Sequence, residues 1–218
     1  MSEEYEIAPN NKVRQLREKA RYDHDTVNAI LDAGELAQVA FVIDGQAAIT
    51  PMIYGRSGQT LYLHGARKAR VIRMLEQNAS LAVNVTLLDA LVYARSAFNS
   101  SMNYRSTTVY GTPRLIEENE AKIEAMRIIS EHIMPGRWAE LRAPLEKEVK
   151  MTGVIAIDIQ SAAAKVSDSM PDDEVEDYKL PVWAGLVPLQ LRRQAPISDP
   201  KLAPEINVSP SVLAISDT

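Results

Sequence analysis

The sequence predicts a mainly β fold, an antiparallel barrel with helices at only a few of its connections. Between residues 37 and 159, about six or seven β-rich segments follow one another along the chain. Turn residues separate most of them, so that neighbouring strands can pair as hairpins. Helical patterns interrupt the series in few places, whereas a doubly wound parallel sheet requires a helix at nearly every crossover. These observations favour the antiparallel barrel.

The N-terminal region predicts a helix over residues 11–33. Asp23 or Asp25 is the candidate break and N-cap within it, because a short carboxylate accepts hydrogen bonds from the first free N–H groups of a helix. Gly34 is the predicted stop, since glycine readily adopts the backbone conformation that ends many helices.

A β-hairpin is predicted next. Residues 37–43 and 46–54 are strand-like, and Asp44-Gly45 between them is a strong two-residue hairpin signal. Pro51 interrupts the second strand. Because proline has no backbone N–H to donate, it predicts an edge position or a bulge.

The most informative stretch is a strand over 60–64 followed by a helix over 67–78. The first turn of this predicted helix carries Arg67 and Lys68, with Arg70 close behind and no acid nearby. Cations are unfavourable there, because the helix dipole makes the N-terminus partly positive. An anion bound by these side chains and the free N–H groups explains the pattern, and phosphate is the usual ligand of such a site.

The remaining elements complete the series. Strands are predicted at 81–87, 91–96, 104–110 and 154–159, and helices at 117–133 and 144–150. Gly111 and Pro113 are expected to end the strand over 104–110, because both residue types weaken a strand interior.

Two parts of the chain differ in character. We expect residues 1–167 to form the main domain and 168–218 to form an extension packed on it. The extension begins with an acidic run at 171–177, interpreted as a solvated loop. An apolar segment at 180–188 is expected to dock on the body, and 195–218 is expected to be a partly ordered tail.

The composition excludes several classes of protein. The 218 residues include no cysteine, so disulfides, Fe–S clusters and thiolate chemistry are excluded. No signal-peptide pattern and no apolar run long enough for a membrane span are present, which predicts a cytoplasmic protein without membrane contact. The net charge of −5 argues against nucleic acid as a partner.

The charges are unevenly distributed. Neither residues 45–75 nor residues 90–116 contain an acid, yet these two windows hold eight of the 24 Lys and Arg residues. In an otherwise acidic chain, such windows predict that basic side chains gather around a small anionic ligand. The alternative is that β-strands are simply depleted in acids.

Known local signatures of other sites are absent. His24, His64 and His132 lie far apart in the sequence without ligand spacing, so no metal site is predicted. The sequence contains no G-x-S-x-G elbow, P-loop or G-x-G-x-x-G motif, which leaves hydrolase triads and dinucleotide-binding βαβ units without support.

A series of short motifs runs from about Arg21 to Pro204. They are Tyr62-Leu-His-Gly65, Asn84-Val-Thr-Leu-Leu-Asp89, Ala94-Arg-Ser-Ala-Phe98, Ser101-Met-Asn-Tyr-Arg-Ser106 and Pro135-Gly-Arg-Trp138. Their order resembles the pyridoxamine 5'-phosphate oxidases, and in particular the flavin-nucleotide-binding branch that includes the nitroimidazole-resistance (Nim) proteins. The resemblance implies an antiparallel split β-barrel that forms a homodimer and binds FMN at the dimer interface.

The resemblance also implies roles for individual residues. Arg67 and Lys68 match the positions that hold the FMN phosphate, while Ala66 replaces the motif serine, so that one hydroxyl contact is lost or moved. Five further positions match the ring-binding strand and the strand end beside the ribityl chain: Met52, Ile53 and Tyr54, then Leu63 and His64. Ser106 matches a polar position that contacts the flavin across the interface.

Other interpretations of these residues remain open. Met52 and Ile53 also suit a plain core, Tyr54 also suits the cap of a hairpin, and His64 also suits a structural role. Trp183 covers the flavin or only anchors the C-terminal segment.

The resemblance implies an FMN-dependent oxidoreductase acting on a small molecule, such as a reductase of nitro-type electrophiles. NADH or NADPH is the expected transient electron donor, and His64, Tyr104 and Arg105 are the candidate catalytic residues. Pyridoxamine-phosphate oxidation is not expected, since the Arg-Leu-x-Pro-like C-terminal segment of the oxidases is missing. Two alternatives stay open: a flavin-binding or sensing module without turnover, and a split barrel that binds haem or another cofactor, with His64 as a ligand.

Overall fold

A computed structural model describes residues 3–216 of the chain. Its strands are β1 (Ala20–Arg21), β2 (Leu36–Ile43), β3 (Gln46–Ser57), β4 (Thr60–Ala66), β5 (Leu81–Tyr93), β6 (Ser101–Ile116), β7 (Thr152–Ser167) and β8 (Gly185–Pro188). Its α-helices are α1 (His24–Ala33), α2 (Arg70–Gln77), α3 (Asn119–Ile133), α4 (Glu146–Met151) and α5 (Pro210–Ser216). The predicted class, mainly antiparallel β with a few peripheral helices, is confirmed.

The chain divides into two compact units. The first contains the residues up to Gly34 together with 82–110 and 160–190, and the second contains 35–81, 111–159 and the residues from Leu191 onward. Each unit draws on both of the predicted parts, 1–167 and 168–218.

The second unit contains the antiparallel path β2–β3–β4–β7. In this path Leu36 pairs with Ile53, Tyr54 pairs with Leu63 and His64 pairs with Val154. The hairpin predicted at Asp44-Gly45 is confirmed, and both of its residues have a positive φ. β3 pairs with β4 only over Tyr54–Ser57, so Pro51 lies where one side of the strand has no β4 partner.

Helix α3 packs on one face of this sheet. Val154 and Ala156 of β7 form a buried cluster with Ala125 of α3, and Tyr62 and Met126 pack against it. Gly55 allows this close contact, since a Cβ on Gly55 would lie 2.7 Å from the backbone nitrogen of Ile129. The face of β4 that carries Tyr62 and His64 is therefore the helix-covered face.

The first unit contains two short strand pairings. β8 pairs with the end of β5, with Val187 opposite Leu91, so the apolar segment expected to dock does so as a strand. β1 pairs with β7 through Ala20 and Lys165.

Several strands are longer than predicted. The segments 81–87 and 91–96 belong largely to one strand, β5, and β6 continues through Gly111 and Pro113 to Ile116. The expected stop at Gly111 is wrong for a physical reason. A Cβ there would lie 2.2 Å from the backbone oxygen of Asp158, so this glycine permits close approach of the backbones.

The N-terminal prediction is partly wrong. Residues 11–22 contain only a short 3-10 helix, Arg17–Lys19, and strand β1 instead of a continuous helix. Asp23 is the N-cap of α1, as one of the two predicted candidates, and its carboxylate accepts a hydrogen bond from the N–H of Thr26 at 2.8 Å.

The acidic run at 171–177 is not wholly solvated. The carboxylate of Asp173 is buried and accepts hydrogen bonds from the backbone N–H and the guanidinium of Arg95, at 2.8 and 2.9 Å. Burial alone would raise the pKa of Asp173, but the hydrogen bonds from Arg95 outweigh it, and the pKa lies below its usual value.

In the part of the chain that is described, no helix is long and apolar enough to cross a membrane.

Candidate functional site

The connection between β4 and α2 places the two predicted phosphate-binding residues. Helix α2 begins at Arg70 with Ala69 as its N-cap, so Arg67 and Lys68 lie in the preceding turn, not in the first helical turn as predicted. The difference arises because the N–H of Arg67 donates to the carbonyl of Met151 at 2.7 Å. This hydrogen bond holds the turn against the C-terminal end of α4. Gly153 makes room for it, since a Cβ there would lie 3.2 Å from the Cα of Arg67.

This turn retains donors that suit an anion. No side chain caps the N-terminus of α2. Lys68 is exposed and forms no ion pair within residues 3–216. Arg67 pairs with Glu76 at 3.2 Å, and both side chains are about one-third exposed, so solvent weakens the pair. A phosphate group could therefore bind here in place of the Glu76 carboxylate.

The acid-free windows of the sequence are not free of acids in the fold. Besides the Arg67–Glu76 pair, acids from outside the windows approach Arg95, Arg105 and Arg114. Their partners are Asp173, Asp89 and Asp158, respectively. The pair of Arg105 with Asp89 is bidentate, at 2.8 and 3.0 Å. The guanidinium of this candidate catalytic residue is therefore already bound to a carboxylate.

The predicted ring-binding residues are divided between the two faces of the sheet. The side chains of Tyr54 and Leu63 are fully buried in the core, and Met52 lies on the same face as Tyr54. Any contact of Tyr54 and Leu63 with a flavin must therefore be made largely by their backbone. Ile53 precedes Tyr54 and His64 follows Leu63. Because successive side chains of a strand alternate between its faces, Ile53 and His64 point to the opposite face.

His64 is half-buried, and its Nδ1 atom is buried without a hydrogen-bond partner among the described residues. Burial lowers its pKa, so the imidazole is neutral at neutral pH. A neutral imidazole with an unused ring nitrogen can bind a metal or a polar ligand atom. The other histidines are engaged elsewhere, since His24 stacks on Tyr5 and the ring of His132 lies 4.7 Å from that of Tyr54.

Ser106 belongs to a polar cluster in the first unit. Its hydroxyl accepts a hydrogen bond from the side-chain amide of Asn84 at 3.1 Å and lies 2.8 Å from the hydroxyl of Thr86. The same amide of Asn84 donates to the hydroxyl of Thr108. Asn84, Thr86 and Thr108 are not among the predicted site residues, although their alternation with buried valines on β5 and β6 is a sequence signal that points to them.

A groove of about 340 Å³ borders this cluster, also within the first unit. Tyr104, Ser106 and Thr108 line one side, and Lys12 and Lys165 contribute two cations. Hydroxyl groups beside two ammonium groups suit a phosphate or carboxylate.

Trp183 is 65% exposed, and its ring lies 5.8 Å from that of Tyr93 in the first unit. It therefore contacts the strand that its own segment joins through β8, while most of its surface stays open to solvent. Both interpretations of Trp183, a flavin cover or an anchor, remain predictions.

Comparison with solved structures gives matches over nearly the whole chain. The flavocytochrome Anf3 from Azotobacter vinelandii is 36% identical, with a TM-score of 0.90, and the match covers 95% of this chain and 97% of that one. The FAD and haem binding protein from Mycobacterium smegmatis is 38% identical, with a TM-score of 0.87 and coverage of 90% and 97%.

A more distant structure shares the fold. A candidate 5-nitroimidazole antibiotic resistance protein from Bacteroides thetaiotaomicron is 23% identical, with a TM-score of 0.59 and coverage of 67% and 86%. No functionally curated protein matches the chain.

The family is shown by the sequence itself. Residues 23–166 match the sequence profile of the pyridoxamine 5'-phosphate oxidases, which covers well over half of the chain. Together with the split-barrel folds of the flavin-binding neighbours, this match confirms the predicted fold class and resemblance. The chain belongs to the pyridoxamine 5'-phosphate oxidase family of flavin-binding split barrels.

Proposed function

We propose that the protein is a flavin-dependent oxidoreductase that reduces a small electrophile, such as a nitro compound. The observation that carries the proposal is the β4–α2 turn, where the uncapped start of α2 and the unpaired Lys68 provide donors for a flavin phosphate next to the strand end with His64. A bound flavin supplies the electron-transfer chemistry. The chain supplies the anion-binding turn and a neutral imidazole that can orient a polar group.

The form of the flavin is part of this proposal. The resemblance implies FMN, whereas the 38% identical neighbour is named for FAD. We favour FAD because that identity extends over 90% of the chain. The mass of the flavin released from the denatured protein distinguishes the two forms.

The absorbance spectrum tests the function. We expect the isolated protein to show flavin absorbance, or to gain it when FAD or FMN is added. Anaerobic NADH or NADPH should bleach it, and a 5-nitroimidazole should restore it as the nitro group accepts two electrons and two protons. Absence of flavin binding contradicts the proposal. Flavin that binds but is bleached by neither nicotinamide supports a binding or sensing module instead.

A homodimer is the second part of the proposal, and one surface supports it. The face of the β2–β3 hairpin opposite the core carries Leu36, Val42, Ile49 and Ile53, which we call the outer hairpin face. Each of these side chains is at least 40% exposed. A contiguous exposed apolar patch is typical of an interface, and the predicted flavin-contacting residue Ile53 belongs to it.

We expect Ile49→Lys to convert the dimer to a monomer, because a charge placed on this 66% exposed residue would be desolvated in the interface. Sedimentation velocity measures the change. Ile197→Lys is the matched control, since Ile197 is 97% exposed in the C-terminal tail and should leave the assembly unchanged. A dimer that persists in Ile49→Lys assigns the interface to another surface.

Haem is a second candidate cofactor, and His64 is the specific observation that favours it. Two neighbours, at 36% and 38% identity, are named for haem or cytochrome function, one as a flavocytochrome and one as an FAD and haem binding protein. The neutral imidazole of His64, whose Nδ1 has no hydrogen-bond partner among the described residues, would hold the haem iron through a ring nitrogen. A Soret band in the spectrum of the isolated protein would support this proposal independently of the flavin.

A further inference from the structure

The second unit contains an apolar cavity of about 330 Å³ that the flavin and haem proposals do not use. It lies between α3, the 3-10 helix Trp138–Glu140 and α4. Apolar side chains form most of its wall: Ile123, Met126, Trp138, Leu141, Pro144 and Val149. Its volume is at the lower end of the range for ligand pockets, which suits a small molecule.

One wall residue does not fit an apolar lining. Lys122 of α3 lines the cavity and is only 8% exposed. Its ammonium group forms no ion pair with any residue in the described part of the chain. Its nitrogen is not among the buried side-chain atoms that lack a partner within residues 3–216, so it reaches the open space of the cavity, where an anion can pair with it.

The other charges of the cavity are already compensated. Arg142 and Glu148 form a bidentate ion pair, at 2.6 and 2.9 Å, and both line the cavity. The hydrogen bonds from Arg142 lower the pKa of Glu148 to about 2, so the carboxylate stays ionised and paired. Of the charged lining residues, Lys122 is therefore the one that has no ion-pair partner in the described part of the chain.

We propose that this cavity binds a small apolar monocarboxylate, with the carboxylate paired to Lys122 and the hydrocarbon body against Met126 and Trp138. One ammonium group matches one carboxylate, and the apolar wall matches an aliphatic or aromatic body. Neither Arg67 nor Lys68 lines the cavity, although Thr152 of its wall pairs with Ala66 beside the proposed phosphate-binding turn. The proposal goes beyond the proposed oxidoreductase, and its test does not require bound flavin.

Trp138 provides a direct reporter of binding. The chain has two tryptophans, so Trp183→Phe leaves Trp138 as the sole indole fluorophore. We would titrate this variant with octanoate and, separately, with octan-1-ol, which has the same chain without the charge. The expected result is saturable change of Trp138 emission with octanoate at about tenfold or more lower concentration than with octanol.

Variants of Lys122 test whether its ammonium group pairs with the carboxylate of octanoate. Lys122→Met should remove the preference for octanoate over octanol, whereas Lys122→Arg should retain it, since it keeps the cation. Lys201→Met, an exposed lysine of the C-terminal tail, is the matched control. Leu141→Phe is a second variant, which places a larger side chain in the cavity wall at a 47% exposed position that tolerates change. It should weaken the binding of both octanoate and octanol, so the proposal stays testable if Lys122→Met does not fold.

Three outcomes would overturn the proposal. Equal affinity for octanoate and octanol would show that Lys122 does not face the ligand. An unchanged preference in Lys122→Met would show the same. Displacement of octanoate by hemin, with a Soret band that Lys122→Met abolishes, would assign the cavity to a porphyrin dicarboxylate instead.

Discussion

Replacing Arg67 and Lys68 together by alanine is expected to release the flavin without unfolding the protein. Both residues lie in an exposed turn and neither contributes a side chain to the buried core, so folding should be preserved. Hydrogen bonds to a charged group contribute roughly 1.5–3 kcal/mol each. Loss of two such bonds predicts a rise in the flavin dissociation constant of about 10²–10⁴-fold.

Fluorescence titration of the flavin measures this change, and circular dichroism verifies the fold. Arg73→Ala is the matched control, because Arg73 is an exposed arginine of α2, the helix that follows the turn. Flavin retained at wild-type affinity in the double variant would show that the phosphate binds elsewhere. The groove with Lys12 and Lys165 would then be the next place to examine.

The ion pair between Arg67 and Glu76 refines this expectation. A phosphate must compete with the Glu76 carboxylate for the guanidinium group of Arg67. Because the pair is partly exposed, it contributes at most about 1 kcal/mol. The Glu76→Gln variant, used with the same titration, should therefore bind flavin up to about fivefold more tightly.

Replacing His64 by alanine is expected to abolish specific haem binding. Loss of groups that merely support a metal ligand commonly costs 10–100-fold in affinity, so loss of the ligand itself should cost about 100-fold or more. Titration of the protein with hemin, followed by the Soret band, measures the effect. Free imidazole should restore part of the wild-type spectrum in the variant by occupying the vacated position.

His24→Ala is the control for this experiment, since His24 stacks on Tyr5 in the first unit. The same Soret band in His64→Ala and in the wild type would exclude His64 as the residue that holds the haem iron. If the wild type binds no hemin but His64→Ala loses flavin, the haem proposal is wrong. His64 then keeps the role beside the flavin that the family resemblance implies.

Much of the local structure could be predicted from the sequence. Asp23 caps α1 and Asp44-Gly45 forms a hairpin because these effects act over a few residues, within the reach of a local pattern. The strand ends were less predictable. Gly111 has the local signature of a break, yet it lies inside β6, because its missing side chain admits the backbone of Asp158, a residue 47 positions away.

The candidate site was also predictable from the sequence only in part. The sequence identified Arg67, Lys68 and His64 through a strand–turn–helix pattern and a family resemblance. It could not show that Glu76 pairs with Arg67 or that Asp89 holds Arg105 in a bidentate contact. The acid-free windows describe neighbours along the chain, whereas charges interact through space over a few ångströms.

By itself, the sequence determined the mainly β class and the family, and it predicted a phosphate site at Arg67 and Lys68, since all three depend on the order of residues along the chain. The tertiary structure alone decided which cations lack an ion pair within residues 3–216, that Nδ1 of His64 has no hydrogen-bond partner there, and that Lys122 lines an apolar cavity. The physical reason is that burial and charge compensation depend on segments distant in sequence. Strand pairing and helix packing bring those segments into contact.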